Sequence, residues 1–272
     1  MKNINIPFKI GHVLIQVDHL EIAIRQYRQM GFQVVPGGLP GKTHNALIYL
    51  KDGSFLELFS TNHGKIMNKL LGFMVKLVGL FDYSYSRRLT LYLPGHEGLR
   101  DYALDSVPVA QYQNNIEKIR ANGLTISKPR SKSRVNQHGI CLQWTLSIPD
   151  SPSLPFLMSE YQPTMKIEEK EVAHPNGVLG IHELQIATSQ WDKTYREYSL
   201  LLGAEPEIIN EKTGRSCLFP IQSTSIHLIE KQKDGIECVI LHCGNQLNNT
   251  VTFTVSKGHL RVLSPNTFLE QI

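Results

Sequence analysis

The sequence predicts an α+β protein built from repeated βαβββ modules, the second half being a truncated repeat of the first. Three observations carry this. The strand-like runs IGHVLIQV (10–17), NALIYL (45–50) and SFLELFS (54–60), with a helical stretch closing on YRQMGF (27–32), return as GIHELQIA (180–187), RSCLFPI (215–221) and SIHLIEK (225–231), with YREYSLLLG (195–203) in the helical place. His12 and Glu57 are 45 positions apart, as are His182 and His227, and a repeated spacing between polar residues in matching strands marks a duplicated unit. Between the two copies lies another strand, helix, strand, strand series, and the tail (236–264) holds strand patterns but too few residues for another full helix.

Each element has a local cause. VLIQV is a short β-rich run, followed by Asp18 or His19 as N-cap of LEIAIRQYRQM and Gly31 as its C-cap. Residues 36–41 form a turn cluster, and Asp52-Gly53 is a hairpin signal between NALIYLK and SFLELFS. In the middle module RDYALDS (100–106) reads as a strand and 107–123 as a helix, with Pro108 in its first turn and Gly123 at its end. ICLQWTLSI (140–148) and LPFLMSEY (154–161) read as strands, and KPRSKSR (128–134) as a solvated basic loop. In the tail, ECVILHC is a strand and TVTFTVSKGHLRVLS a hairpin over Lys257-Gly258. The organisation predicted is a unit of two paired modules over 1–162, a polar, Pro-containing linker over 163–178 and a degenerate repeat over 179–272.

The net charge of +4 and pI near 8.8 lack the clustered basic face of a nucleic-acid binder and favour small anionic ligands. The four cysteines form no C-x-x-C pair, and the start of the chain carries no signal-peptide pattern; a reducing, cytoplasmic setting is expected. The apolar run 66–81 is too short to span a bilayer and contains Lys69 and Lys76. It reads as a buried helix, with a lid, a homodimer contact or an interfacial helix as alternatives.

Strand alternation puts His12, Leu14 and Gln16 on one face and Val13, Ile15 and Val17 on the other; Phe55, Glu57 and Phe59 likewise share a face. If the first and fourth strands of a module are neighbours, His12 and Glu57 meet, either as an acid/base or metal-binding pair or as a satisfied polar pair inside the sheet. His44, Asn45 and Tyr49 at the third strand are candidate substrate contacts, with a turn-stabilising role as the alternative for the first two. Arg134 is a candidate for an anionic group and Trp144 a candidate pocket wall, against solvated-loop and sheet-core roles. His182 with His227 is a second metal or structural pair. No P-loop, nucleophile elbow, H-E-x-x-H or dinucleotide fingerprint is present.

The run from His12 through Gly31-Phe32 to GKTHNALIYLKDGSFLELFS (41–60), with SKPRSKSRVNQHGICLQWTLSIPDSPSLPFLM (127–158) and HPNG (174–177), resembles the glyoxalase-like domain family of the vicinal oxygen chelate superfamily. The resemblance implies curved mixed sheets with a central cleft, and a divalent metal (Zn, Mn, Fe, Ni or Mg) held by the first and fourth strands of each paired module. Lyase, isomerase and dioxygenase chemistry all occur on this plan, as do proteins that bind a small molecule without turnover, so the fold selects no reaction. In the second module the matching positions fall near Arg100 to Tyr102 and at Met158, which leaves the ligand set incomplete and admits a protein with no metal.

Overall fold

A computed structural model describes residues 6–39, 45–61, 83–93, 97–211, 214–244, 251–255 and 258–263. The first module comprises β1 (Phe8–Gln16), α1 (Leu20–Gln29), β2 (Val35–Pro36), β3 (Asn45–Tyr49) and β4 (Phe55–Phe59). After helix α2 (Tyr83–Thr90), the second comprises β5 (Gly98–Ser106), α3 (Tyr112–Ala121), β6 (Arg130–Val135), β7 (Cys141–Ser147) and β8 (Phe156–Met158). Together they form one eight-stranded sheet in the order β2-β3-β4-β1-β5-β8-β7-β6. The order follows from each module's crossover: β1 runs parallel to β4, β5 runs parallel to β8, and the modules join through the antiparallel pair β1–β5.

The short helix α4 (Glu169–Val172) leads to the second sheet, made of β9 (Val178–Thr188), α5 (Trp191–Leu202), β10 (Glu207–Glu211), β11 (Gly214–Ile221), β12 (Thr224–Glu230), β13 (Gly235–Cys243), β14 (Val251–Val255) and β15 (Gly258–Leu263). Its order, β10-β11-β12-β9-β13-β15-β14, repeats the first plan with a shortened last module. The architecture is thus the predicted α+β arrangement of repeated βαβββ modules.

The helix-ward faces are apolar and pack into a single core. Val13, Ile15, Leu56 and Leu58 from the first sheet share it with Leu184, Ile226 and Leu228 from the second. Polar contacts cross the same boundary: the Tyr102 and Tyr198 hydroxyls hydrogen-bond at 2.7 Å, and the Asp52 amide donates to Leu179 O at 3.3 Å. Gly31 follows α1 at φ +84° and Gly53 sits in the β3–β4 turn at φ +82°, the left-handed conformations those breaks require.

Residues 163–178 are laid against the first sheet. The buried His174 accepts from the Gln33 amide at Nδ1 and donates from Nε2 to Tyr49 O, each at 2.9 Å. Met165 and Val172 pack beside Leu47, Tyr49 and Phe55. Two readings change. The basic run expected as a loop is the edge strand β6, because pairing with β7 supplies the ladder its polar side chains do not signal. The last strand of the second module ends at Met158, so Glu160 lies beyond the ladder and is exposed. His44 and the apolar run 66–81 lie outside the described residues.

Candidate functional site

The concave face of the first sheet places His12 at its middle. Its ring stacks on Phe55 with centroids 4.4 Å apart and meets Phe156 edge-on at 5.4 Å. Only 3% of the residue is exposed. Parallel pairing of β1 with β4 sets Leu14 opposite Glu57 and His12 opposite Phe55, which brings His12 Nε2 to 3.9 Å from Glu57 Oε2. That separation is beyond a hydrogen bond. Glu57 instead accepts from Asn45 Nδ2 at 2.8 Å. Asn45 and Tyr49 share a face of β3, as alternation predicts, and Tyr49 Oη contacts Met165 Sδ at 3.4 Å.

Arg134 completes the group from the far edge of the sheet. Its Nη1 donates to Gly37 O, just beyond β2, at 2.8 Å. Since β2 and β6 are opposite edges, this bond ties the curled sheet across its mouth. The same guanidinium lies 5.5 Å from the Tyr161 ring centroid, and its charge acts on the Tyr49 and Tyr161 hydroxyls. Trp144 packs edge-on against Tyr161 at 5.2 Å, in the same apolar cluster as Leu14, Phe156 and Met158. Sequence reasoning missed Tyr161, which follows β8 and has no alternation to place it. It also missed Phe55 and Phe156, whose ring contacts with His12 leave no mark on spacing.

Burial and Arg134 set the electrostatics together. Burial, with Arg134 acting in the same direction, lowers the His12 imidazole to about 3, so it is neutral at physiological pH. Burial raises the Glu57 carboxyl against the opposing pull of Asn45 and Arg134. Burial pushes Tyr49 up to about 12 even with Arg134 beside it. His12 Nδ1 is buried and has no hydrogen-bond partner among the described residues. An imidazole that titrates at about 3 when folded and at 6.5 when exposed makes the unfolded chain the stronger proton acceptor on acidification. Its contribution to stability is therefore full above pH 6.5 and is lost as pH falls toward 3, with a slope of up to ~1.4 kcal/mol per pH unit. Urea denaturation between these limits should show a shallower acid-side loss in His12→Gln than in the wild type. Equal slopes would refute the assignment.

Helix α2 covers one end of the concave face. Arg88 donates from Nε to Asp101 Oδ2 at 2.6 Å and from Nη2 to Asp101 Oδ1, while Tyr92 Oη donates to the same carboxylate. Gln16 Nε2 donates to Thr61 Oγ1 and to the carbonyls of Tyr92 and Leu93, holding the end of that segment over β1. This buried network was not read from the sequence.

The second module does not supply the remaining donors. In the β1–β5 ladder Ala103 stands directly opposite His12, while the matching bulges at Gly11 of β1 and Arg100 of β5 put Asp101, already held by Arg88, in the place that corresponds to His12. Parallel pairing sets Ala103 opposite Phe156 and Asp105 opposite Met158, so β8 offers no donor side chain at the place of Glu57. On adjacent β12 and β9, Ser225 aligns with Glu183 and His227 with Gln185. His227 Nδ1 lies 3.2 Å from Glu183 Oε1, and His182 is the extra residue of a bulge in β9 between Ile181 and Glu183. The correct correspondence is thus Glu183 with His227, the same two residue types as His12 with Glu57 but exchanged between strands. Among the described residues, no three His, Cys, Asp or Glu side chains come together in a set able to hold a metal ion.

A family model described as Glyoxalase-like domain matches residues 10–202. The chain belongs to the glyoxalase-like domain family. No curated protein matches this glyoxalase-like chain. Among solved structures it is similar to a hypothetical protein from Staphylococcus aureus, with TM-score 0.70, 12% identity and coverage of 94% of this chain and 99% of that one. It is also similar to the 2,3-dioxygenase LapB from Pseudomonas sp. KL28, with TM-score 0.58, 10% identity and coverage of 94% and 91%. A third is the Mn(II)-bound glyoxalase from Novosphingobium aromaticivorans, with TM-score 0.53, 9% identity and coverage of 94% and 81%. At these identities the likeness shows the fold alone. No described helix of the glyoxalase-like chain is long and apolar enough to cross a membrane.

Proposed function

We propose that the protein binds a small anionic, oxygen-rich molecule in the cleft of residues 1–162 and acts on it by proton transfer. Residues 163–178 would serve as a strap over that cleft and 179–272 as a degenerate repeat that braces it. The supporting observation is the meeting of Arg134 with Glu57 and His12 on one concave face. Arg134 offers a planar, permanently charged fork for a carboxylate or phosphate oxygen. Glu57, raised above the usual carboxylate value by burial, is the candidate general acid or base. His12 stays uncharged and orients an oxygen by hydrogen bonding, while Asn45 and Tyr49 hold the carboxylate and the wall.

The neighbouring folds include a Mn(II)-bound glyoxalase and a 2,3-dioxygenase, so a divalent metal is the natural comparison. The donor set here does not fit one. His12 and Glu57 are two donors, and a catalytic zinc site uses three protein ligands. In the second module the place of His12 holds Asp101, already engaged by Arg88, the strand β8 offers only Phe156, Leu157 and Met158, and a guanidinium sits among the group. The lyase or isomerase branch of the family's chemistry, in which charge is stabilised by Arg134, is the reading this geometry supports.

Glu57→Gln is expected to cut turnover by about 10²–10⁴-fold while leaving ligand affinity within a few-fold. The ligand comes from a metabolite pull-down, run alongside elemental analysis of the purified protein. Stoichiometric bound metal that departs in His12→Ala would replace the metal-free reading. The incomplete donor set also favours a second reading, a sequestering protein, which tight binding with no turnover in the wild type would support.

A further inference from the structure

A cavity of about 160 Å³ lies at the end of the concave face away from α2. Lys9 of β1 and Asp105 of β5 face each other across the ladder at its floor. Phe55, Met158 and Tyr161 line its sides, and the exposed Glu160 stands at its mouth. Asp105 Oδ1 is buried and has no hydrogen-bond partner among the described residues. Burial raises this carboxyl to about 7, with Lys9 opposing the rise and Glu160 adding to it. The chain also keeps space for it: a Cβ at Gly11 would overlap the Asp105 carboxyl.

A buried carboxylate oxygen without a hydrogen-bond partner is costly to fold around. Lys9 offsets part of that cost, yet one ammonium against two carboxylates leaves a negative charge in excess when both are ionised. The remaining walls are hydrocarbon and aromatic. A ligand that answers both features carries a cationic hydrogen-bond donor on a short apolar body.

We propose that this cavity binds a compact alkylammonium or arylammonium group, held by Asp105 and Glu160 with its hydrocarbon against Phe55, Met158 and Tyr161. The site adjoins the Arg134 group, since Phe55 and Tyr161 wall this cavity and also meet His12 and Arg134. Its charge preference is opposite, so the two sites are separable by probe.

Isothermal titration of the full chain with butylammonium, butyrate and butanol tests it. Butylammonium should bind and butyrate should not, Asp105→Asn should weaken butylammonium at least tenfold, and Lys9→Met should tighten it by removing the competing cation. Glu57→Gln, whose side chain does not line this cavity, should leave butylammonium binding unchanged while it cuts turnover, which separates a failure here from a failure of the proton-transfer reading. If Asp105→Asn loses its circular dichroism, Glu160→Gln on the exposed rim carries the charge test with a several-fold loss expected. The proposal is overturned if butylammonium does not bind, if butyrate binds as well, or if a folded Asp105→Asn (Glu160→Gln where that variant does not fold) leaves affinity unaltered.

Discussion

Asp101→Ala is expected to destabilise the protein by about 3–5 kcal/mol, the cost of leaving one member of a buried ion pair alone. Arg88 and Asp101 are 3% and 4% exposed. The guanidinium engages both carboxylate oxygens, donates to Leu154 O, and shares the carboxylate with the Tyr92 hydroxyl. Without Asp101 the charge of Arg88 has neither water nor counter-ion, and Tyr92 loses its acceptor. The double variant Arg88→Met/Asp101→Leu removes both charges and should recover most of the loss, because no ion then remains buried. Chemical denaturation of the two variants checks this, and equal destabilisation by both would show that packing rather than charge dominates. The pair also fastens α2 to the concave face, so Asp101→Ala should become more sensitive to proteolysis between residues 83 and 93 at native conditions, where α2 lies.

Arg134→Gln is expected to weaken binding of the anionic ligand by about 2–5 kcal/mol, the usual result of removing one partner from a desolvated charge contact. The same variant has an independent signature. Arg134 lowers His12, Glu57, Tyr49 and Tyr161 alike by its charge. Its loss should move the His12 titration upward from about 3, a shift that nuclear magnetic resonance of the ring can follow. Arg134→Lys should keep much of the electrostatic effect but not the ligand affinity, because an ammonium cannot replace a planar fork that bonds Gly37 O and lies over the Tyr161 ring. An unmoved His12 titration in Arg134→Gln would remove Arg134 from the site.

The faces of β1, β3 and β4 were legible in the sequence because a strand's side chains alternate regardless of what surrounds it. That rule alone put His12 with Gln16, Asn45 with Tyr49 and Glu57 with Phe59. Turn and cap chemistry was legible too: Gly31 and Gly53 stand where the chain takes positive φ. The duplicated spacing foresaw the two-sheet repeat and its shortened end. It misled in one respect, since equal spacing paired His182 with His227 while the register aligns Glu183 with the His12 position. A shift of one residue turns every side chain to the other face, and register is decided by long-range pairing.

Tertiary structure alone decided the rest. The polar run 130–134 becomes a strand only because β7 lies beside it, and Arg134 reaches the site only because the sheet curls until its edges meet at Gly37. Ala103 rather than a neighbour opposes His12 because the Gly11 bulge makes room for Asp105. By itself the sequence determined which residues share a strand face, for that depends on the covalent period of the chain. Which faces enclose a common space, and which charges are left buried there, depends on distances across many residues that no local pattern encodes.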